Sequence, residues 1–179
     1  LAIRIFAALG EVASAGLPER VWELSRLPQD SPEFKAKFDA LIKDFGHRGV
    51  NEWELSADTW LLNPQLAYEM IDRVRQQDES MSPAVRTAIA LEQRLAAEAE
   101  LTAAVAGDEA TAGMLAAGIA AGQAAYRHRE AGKNAAVRMY HEPKMAFREL
   151  GRRMAERGAI ADQKHIFMLL DSELDGFLA

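Results

Sequence analysis

Ser31-Pro32-Glu33-Phe34 opens the stretch that decides the fold. A serine followed by proline writes a helix N-terminus: the hydroxyl accepts an otherwise unpaired backbone N–H, and proline at the first helical position gives up a donor that has no partner there. Phe34, Phe38, Leu41, Ile42 and Phe45 then recur at i, i+4, i+7, i+8 and i+11, which is one apolar stripe of an α-helix. Gly46 stands where a C′ stop belongs. The same grammar returns at Asn63-Pro64 and Ser82-Pro83. Helices are predicted over 1–15, 18–26, 32–45, 64–77 and 83–105.

No run of β-branched residues alternates with polar ones over more than a few positions, and Ala makes up about a fifth of the chain. Ala costs least in a helix, so composition argues the same way. Gly107-Asp108 is a weak break, followed by an Ala/Gly-rich stretch from Ala110 to Ala125 in which Gly118 and Gly122 form a GxxxG pair. The stretch is too short and too poor in large residues for a membrane, and close helix–helix packing is the expected use. From Tyr126 to Arg157 runs a long charged helix, with a kink expected near His141 because Pro143 removes a donor and crowds the preceding turn. Gly158 ends it, 162–170 is a short helical or extended piece, and Asp171/Ser172 cap a last turn through Leu178. The expectation is an all-α, multi-helix bundle with one long, Pro-kinked C-terminal helix.

The chain has 179 residues, one domain's worth, and carries 21 Lys+Arg against 27 Asp+Glu for a formal charge of −6. An acidic balance lacks the broad basic field of a nucleic-acid binder. Without Cys there is no disulfide, thiolate zinc site or thiol nucleophile. No signal peptide or membrane span is legible, so a cytoplasmic location is expected. Leu1 begins in the middle of an apolar pattern (Ile3, Ile5, Phe6, Leu9), and residues 1–179 read as a single helical domain cut from something longer.

Two segments carry candidate chemistry. Turning about 100° per residue from Arg129, the residues Ala136, Tyr140, Phe147, Leu150 and Met154 cluster within about 60° of its direction. Arg129 and Lys133 therefore sit on the apolar side of their own helix, with Glu130 at its border. Such charges must pair with one another, reach water or face a ligand. Two cations and one anion leave a positive surplus suited to an oxyanion. The second segment runs from Phe45-Gly46-His47-Arg48-Gly49 through Asn51, Glu52 and Trp53 to Leu55. Its bracketing glycines suit a shaped binding loop, or a helix-ending turn whose Trp53 and Leu55 pack while the charges stay wet. No metal site is read: His47, His128, His141 and His165 form no HxxxH or HxxH pair. No GxSxG elbow, GxxxxGK[ST] loop or GxGxxG loop is present.

At these segments the sequence resembles the phosphoenolpyruvate-utilising enzymes, and is most similar to their phosphoenolpyruvate synthase-like and rifampin phosphotransferase-like branch. The carrying stretches are Phe45-Gly46-His47-Arg48-Gly49 through Glu52 to Trp60 and Pro64; Arg129-Glu130-Ala131-Gly132-Lys133; Phe147-Arg148-Glu149-Leu150-Gly151-Arg152-Arg153 with Arg157-Gly158; and a tail from His165 to Leu170 with Glu173-Leu174. The resemblance implies a polypeptide that joins an ATP-grasp domain, a largely helical acceptor-binding domain and a small swivelling domain whose phosphorylatable His moves between the two sites. This chain is similar to the helical domain only.

By the same resemblance Arg129, Glu130 and Lys133 match an Arg-Glu-x-x-Lys motif at the site where phospho-His meets the acceptor. Arg129 and Lys133 would neutralise phosphoryl oxygens, while Glu130 would orient Lys133 or accept the acceptor's proton. His47, Arg48, Asn51 and Glu52 would bind substrate. ATP and Mg are implied for the full-length protein, and no cofactor for this chain. The implied partners are a small-molecule phosphoryl acceptor and the other two domains of the same polypeptide. The family's carrier His lies in a Gly-rich segment beside Ser or Thr, a setting that none of the four histidines here has. The chain is therefore expected to be inactive alone. The alternative reading is a stand-alone helical interaction module that docks a partner helix through Gly118 and Gly122.

Overall fold

Helices begin where the caps are. In a computed structural model, which describes residues 16–170 together with 172, 173 and 176, the elements are α1 (Leu17–Ser25), α2 (Pro32–Phe45), α3 (Gln65–Arg75), α4 (Pro83–Ala104) and α5 (Glu109–Glu156). Short 3-10 segments occupy Glu79–Met81 and Gln163–Met168, and there is no strand among the described residues. The helix expected over 1–15 and most of the last turn through Leu178 lie outside those residues. The Ser31 hydroxyl accepts the Phe34 N–H at 3.1 Å, and the Ser82 hydroxyl accepts that of Val85 at 3.4 Å. Asn63 does not act this way: α3 starts at Gln65 with no side-chain cap, and its first turn hangs on backbone bonds to the carbonyls of Asn63 and Pro64.

The stripe read from α2 is the centre of the core. Phe34, Phe38, Leu41 and Phe45 are buried with Val21 and Leu24 of α1, Trp60, and Ala67 and Ile71 of α3. Phe34, Phe38 and Tyr68 stack, the last two at 4.1 Å between centroids. Each such side chain taken from water contributes on the order of 1.5–3 kcal/mol, so this cluster dominates the stability of α1–α3. α1 packs on both α2 and α3. Its C-terminal end is tied to α3, where Arg75 Nε donates to the Ser25 carbonyl at 3.1 Å.

The Ala/Gly stretch and the charged stretch after it are one helix of 48 residues. At about 1.5 Å per residue it is roughly 72 Å long. Asp108 is its cap, accepting the N–H groups of Ala110 and Thr111. Helix runs through Pro143 without interruption. The missing donor costs about 3 kcal/mol, which burial of Val137 on one side of it and Met154 on the other helps to offset. Gly158, at φ 74°, takes the left-handed turn that stops the helix, with Ala159 N–H bonded to the Met154 carbonyl.

The expected close packing at Gly118 is absent from the described residues: a Cβ there would meet nothing within 4 Å. A tightly packed glycine of α5 is Gly151. A Cβ on it would strike the Gln163 carbonyl and lie 2.9 Å from Ile166 Cγ2, because the second 3-10 segment folds back onto the end of α5.

The two glycines therefore predict opposite signs. Gly151→Ala should destabilise by about 1–3 kcal/mol through overpacking, whereas Gly118→Ala should be neutral or stabilising by up to about 1 kcal/mol. Urea unfolding of both variants checks this; equal effects would contradict the packing described.

Candidate functional site

After α2 the chain runs alongside residues 58–61. Leu61 N–H bonds the Gly46 carbonyl and Trp60 N–H the Arg48 carbonyl, both at 2.8 Å. The approach requires missing side chains. A Cβ on Gly49 would sit 2.8 Å from the Asp58 carbonyl oxygen, and one on Gly46 would meet the Ile42 carbonyl and lie 3.0 Å from Leu61 Cβ. Gly46 has φ −60°, so it serves space and not the left-handed C′ turn expected of it. Asn51, at φ 59°, makes the turn between the two segments, where the Glu54 N–H returns to its carbonyl at 2.9 Å.

The pinned loop presents His47, Arg48 and Glu52 from its first limb and Ser56, Asp58 and Thr59 from its second, and α5 lies across both. Arg148 donates through Nη2 to the Ser56 carbonyl at 2.9 Å and to Asp58 Oδ1 at 2.6 Å. Lys164 reaches Asp58 Oδ2 at 3.7 Å. Arg48 pairs with Glu52 Oε1, and its Nη1 lies 3.4 Å from Asn134 Oδ1 on α5. Lys133 meets Glu52 Oε2 at 3.8 Å. One carboxylate thus holds a loop arginine on one oxygen and a helix lysine on the other. Trp53 tilts against Tyr140 at 5.9 Å over the same seam.

Of the residues expected at a site, Arg48, Glu52, Lys133 and the buried His47 come together. Asn51 is exposed and occupied with the turn. Arg129 is turned outward: its side chain is 64% exposed, pairs with Glu130, and lies 5.3 Å from the Tyr126 ring. Glu130 is therefore a partner of Arg129 and not of Lys133. The reason is rotational. The buried residues of α5 are Val137, His141, Lys144, Gly151 and Met154, a stripe centred roughly 70° from the direction expected from Ala136, Tyr140, Phe147 and Leu150. It carries His141 and Lys144, with Arg148 beside them, so an argument from hydrophobicity passes over it. Their spacing of three and four residues was the available signal.

Burial sets the electrostatics here. It lowers the pKa of His47, against the pull of an Asn134 hydrogen bond, with the charges of Arg138 and Arg48 and neighbouring His141 lowering it further. Burial lowers His141 as well; Glu142 opposes this, while Lys144 and Arg148 add to it. Lys144, only 1% exposed, is lowered by burial and then by Arg148, and is drawn back by Glu54, Asp58 and Glu52. Arg48, Lys133, Lys144, Arg148 and Lys164 thus face Glu52, Glu54 and Asp58, an excess of cations suited to an anion.

Among the described residues no group of His, Asp and Glu is placed to hold a metal ion, and no helix is long and apolar enough to cross a membrane. An apolar cleft of about 600 Å³ lies elsewhere, between α1, α3 and α4, lined by Leu17, Val21, Trp22, Met70 and Val74 among others; no residue of the seam lines it.

The architecture defines an all-α domain whose longest helix is clamped by ion pairs onto a glycine-pinned loop. A family model described as the rifampicin phosphotransferase fourth domain matches residues 2–130, and the chain belongs to that family. No curated protein matches the chain. The family match ends at Glu130, so Lys133 and the α5 side of the seam lie past it.

The lowered histidines give stability a sign with pH. Both bind protons less readily folded than unfolded, so the stability they contribute is present above their ordinary pKa near about 6.5 and is lost as pH falls through it. Tm should drop between pH 7 and 5, and His141→Asn should flatten that drop. An unchanged slope in His141→Asn and in His47→Asn would contradict the burial described.

Proposed function

We propose that this chain is the acceptor-binding helical domain of an ATP-dependent phosphotransferase that passes its phosphoryl group through a histidine on another domain, and that it is inactive alone. Family membership supports the reading. The observation that carries it is Lys133: Glu52 holds its ammonium beside the Arg48 loop while its side chain stays 42% exposed. Its remaining donors are free to meet an arriving anion.

Phosphoryl transfer passes through a loose transition state with charge spread over three equatorial oxygens, so catalysis is mostly positioning and charge stabilisation. In this reading Lys133 meets those oxygens from a fixed base. Arg129, exposed one turn earlier, swings onto them, and Glu130 orients Arg129 or takes the acceptor's hydroxyl proton. Arg48 and Glu52 are the base that fixes Lys133, with His47 buried behind them. The chain has no phosphate-binding glycine loop, so ATP and Mg belong to an ATP-grasp domain and the carrier His to a swivelling domain of the same polypeptide, in the cytoplasm. Rifampicin, in the family's description, is the acceptor to which membership points.

A second reading, a stand-alone interaction module, draws on a different observation. Gly118 faces open space, and Ile89, Leu95 and Met114 of α4 and α5 are 49%, 54% and 69% exposed.

In the full-length polypeptide, Lys133→Ala should lower phosphoryl transfer to the acceptor by at least about 100-fold with little change in Tm, since it removes a transition-state contact. Turnover within threefold of wild type would refute the assignment, and a large fall in Tm would make Lys133 a structural tie instead.

A further inference from the structure

The seam contains more hydrogen-bond donors than its own acceptors serve. Among the described residues His141 Nδ1 and Nε2, His47 Nε2, Thr59 Oγ1 and Arg148 Nε are buried without a hydrogen bond. Lys144 forms no hydrogen bond or ion pair among the described residues. Thr59 and Lys144 are each 1% exposed, His141 7% and His47 9%. Lys144 and Arg148 only donate, the Thr59 hydroxyl donates or accepts, and a neutral imidazole donates through one nitrogen and accepts through the other. Two of the three facing carboxylates are engaged on both oxygens, Glu52 by Arg48 and Lys133 and Asp58 by Arg148 and Lys164, while Glu54 accepts from Ser56 through Oε1.

We infer that the seam holds a buried oxyanion site centred on Lys144 and His141, with Thr59 and Arg148 at its sides, which takes a small anion of the phosphate or carboxylate type. Water is the poorer occupant. It brings two donors for every two acceptors and leaves the cation excess standing, whereas an oxyanion brings acceptors only and balances that excess. Burial and Arg148 both disfavour the Lys144 ammonium, and a bound anion reverses this. On the loop's outer side Asn51, Trp53 and Glu54 line an open recess of about 410 Å³, and Glu54 is near enough to act on Lys144. The site is distinct from the exposed face of Lys133 and does not rest on the function proposed above. It makes docking of α5 on the loop dependent on an anion.

The test is titration of inorganic phosphate, and separately of acetate, into the 179-residue chain at pH 7, with chloride matching the ionic strength. Phosphate should raise Tm saturably with a Kd at or below about 1 mM and should shift the ring nitrogens of His141 in 15N spectra. Lys144→Met should weaken this at least tenfold, while Lys133→Ala and Arg129→Ala keep it. The same response to acetate but not to phosphate assigns the site to a carboxylate. No saturable response to either anion overturns the proposal, as does a response that Lys133→Ala abolishes and Lys144→Met keeps. Should Lys144→Met not fold, the His141 shifts of the wild-type chain decide: unmoved by both anions, they overturn it.

Discussion

The backbone approach at Gly46 and Gly49 holds the candidate site in place. Because neither residue has a Cβ, the chain leaving α2 runs within hydrogen-bonding distance of residues 58–61, and two polar limbs of one loop face the same way. α5 can then answer both at once, through Lys133 and Asn134 to the first limb and Arg148 to the second. A side chain at Gly49 would part the limbs and separate Glu52 from Asp58. The core of α1–α3 supplies the platform, and its last aromatic, Trp60, belongs to the same paired segment.

The seam carries a thermodynamic burden. Buried cations and neutral imidazoles stabilise little, since desolvation offsets much of each ion pair. A purely structural interface at Val137, His141, Lys144 and Gly151 would do better with apolar side chains of similar volume. The burden falls where α5 meets the loop and leaves the α2 core untouched, and the anion inferred for the seam would relieve it.

Helices α2 and α4 were legible because their signals are local: a hydroxyl, a proline and a stripe within a few turns. The long helix was divided in the reading because its composition changes near Tyr126, but composition is not a breaker. Nothing there removes a donor or caps a carbonyl, so the helix continues from Glu109 to Glu156. Asn63 carried the right chemistry for a cap without making the bond, since the carbonyls of Asn63 and Pro64 already anchor the first turn of α3. At the site, His47, Arg48 and Glu52 were picked out by the glycines around them and Lys133 by its place on the apolar side of its helix, both with the family resemblance behind them. Their meeting depends on a contact between residues 81 positions apart in the chain, which no local pattern encodes. Arg148, His141 and Lys144 were missed because a helix face filled with His, Lys and Arg reads as solvated until the loop that buries it is known.

The clamp itself is measured most directly by a double-mutant cycle on Asp58 and Arg148, using denaturant unfolding of Asp58→Ala, Arg148→Ala and the double variant. Their side chains are 27% and 16% exposed, against 46% and 42% for the surface pair Asp44 and Arg20, which serves as control. A bond that holds α5 to the loop gives a coupling energy of about 1–3 kcal/mol for the first pair and less than about 0.5 kcal/mol for the control. Equal, small couplings would show that α5 is not held to the loop in this way.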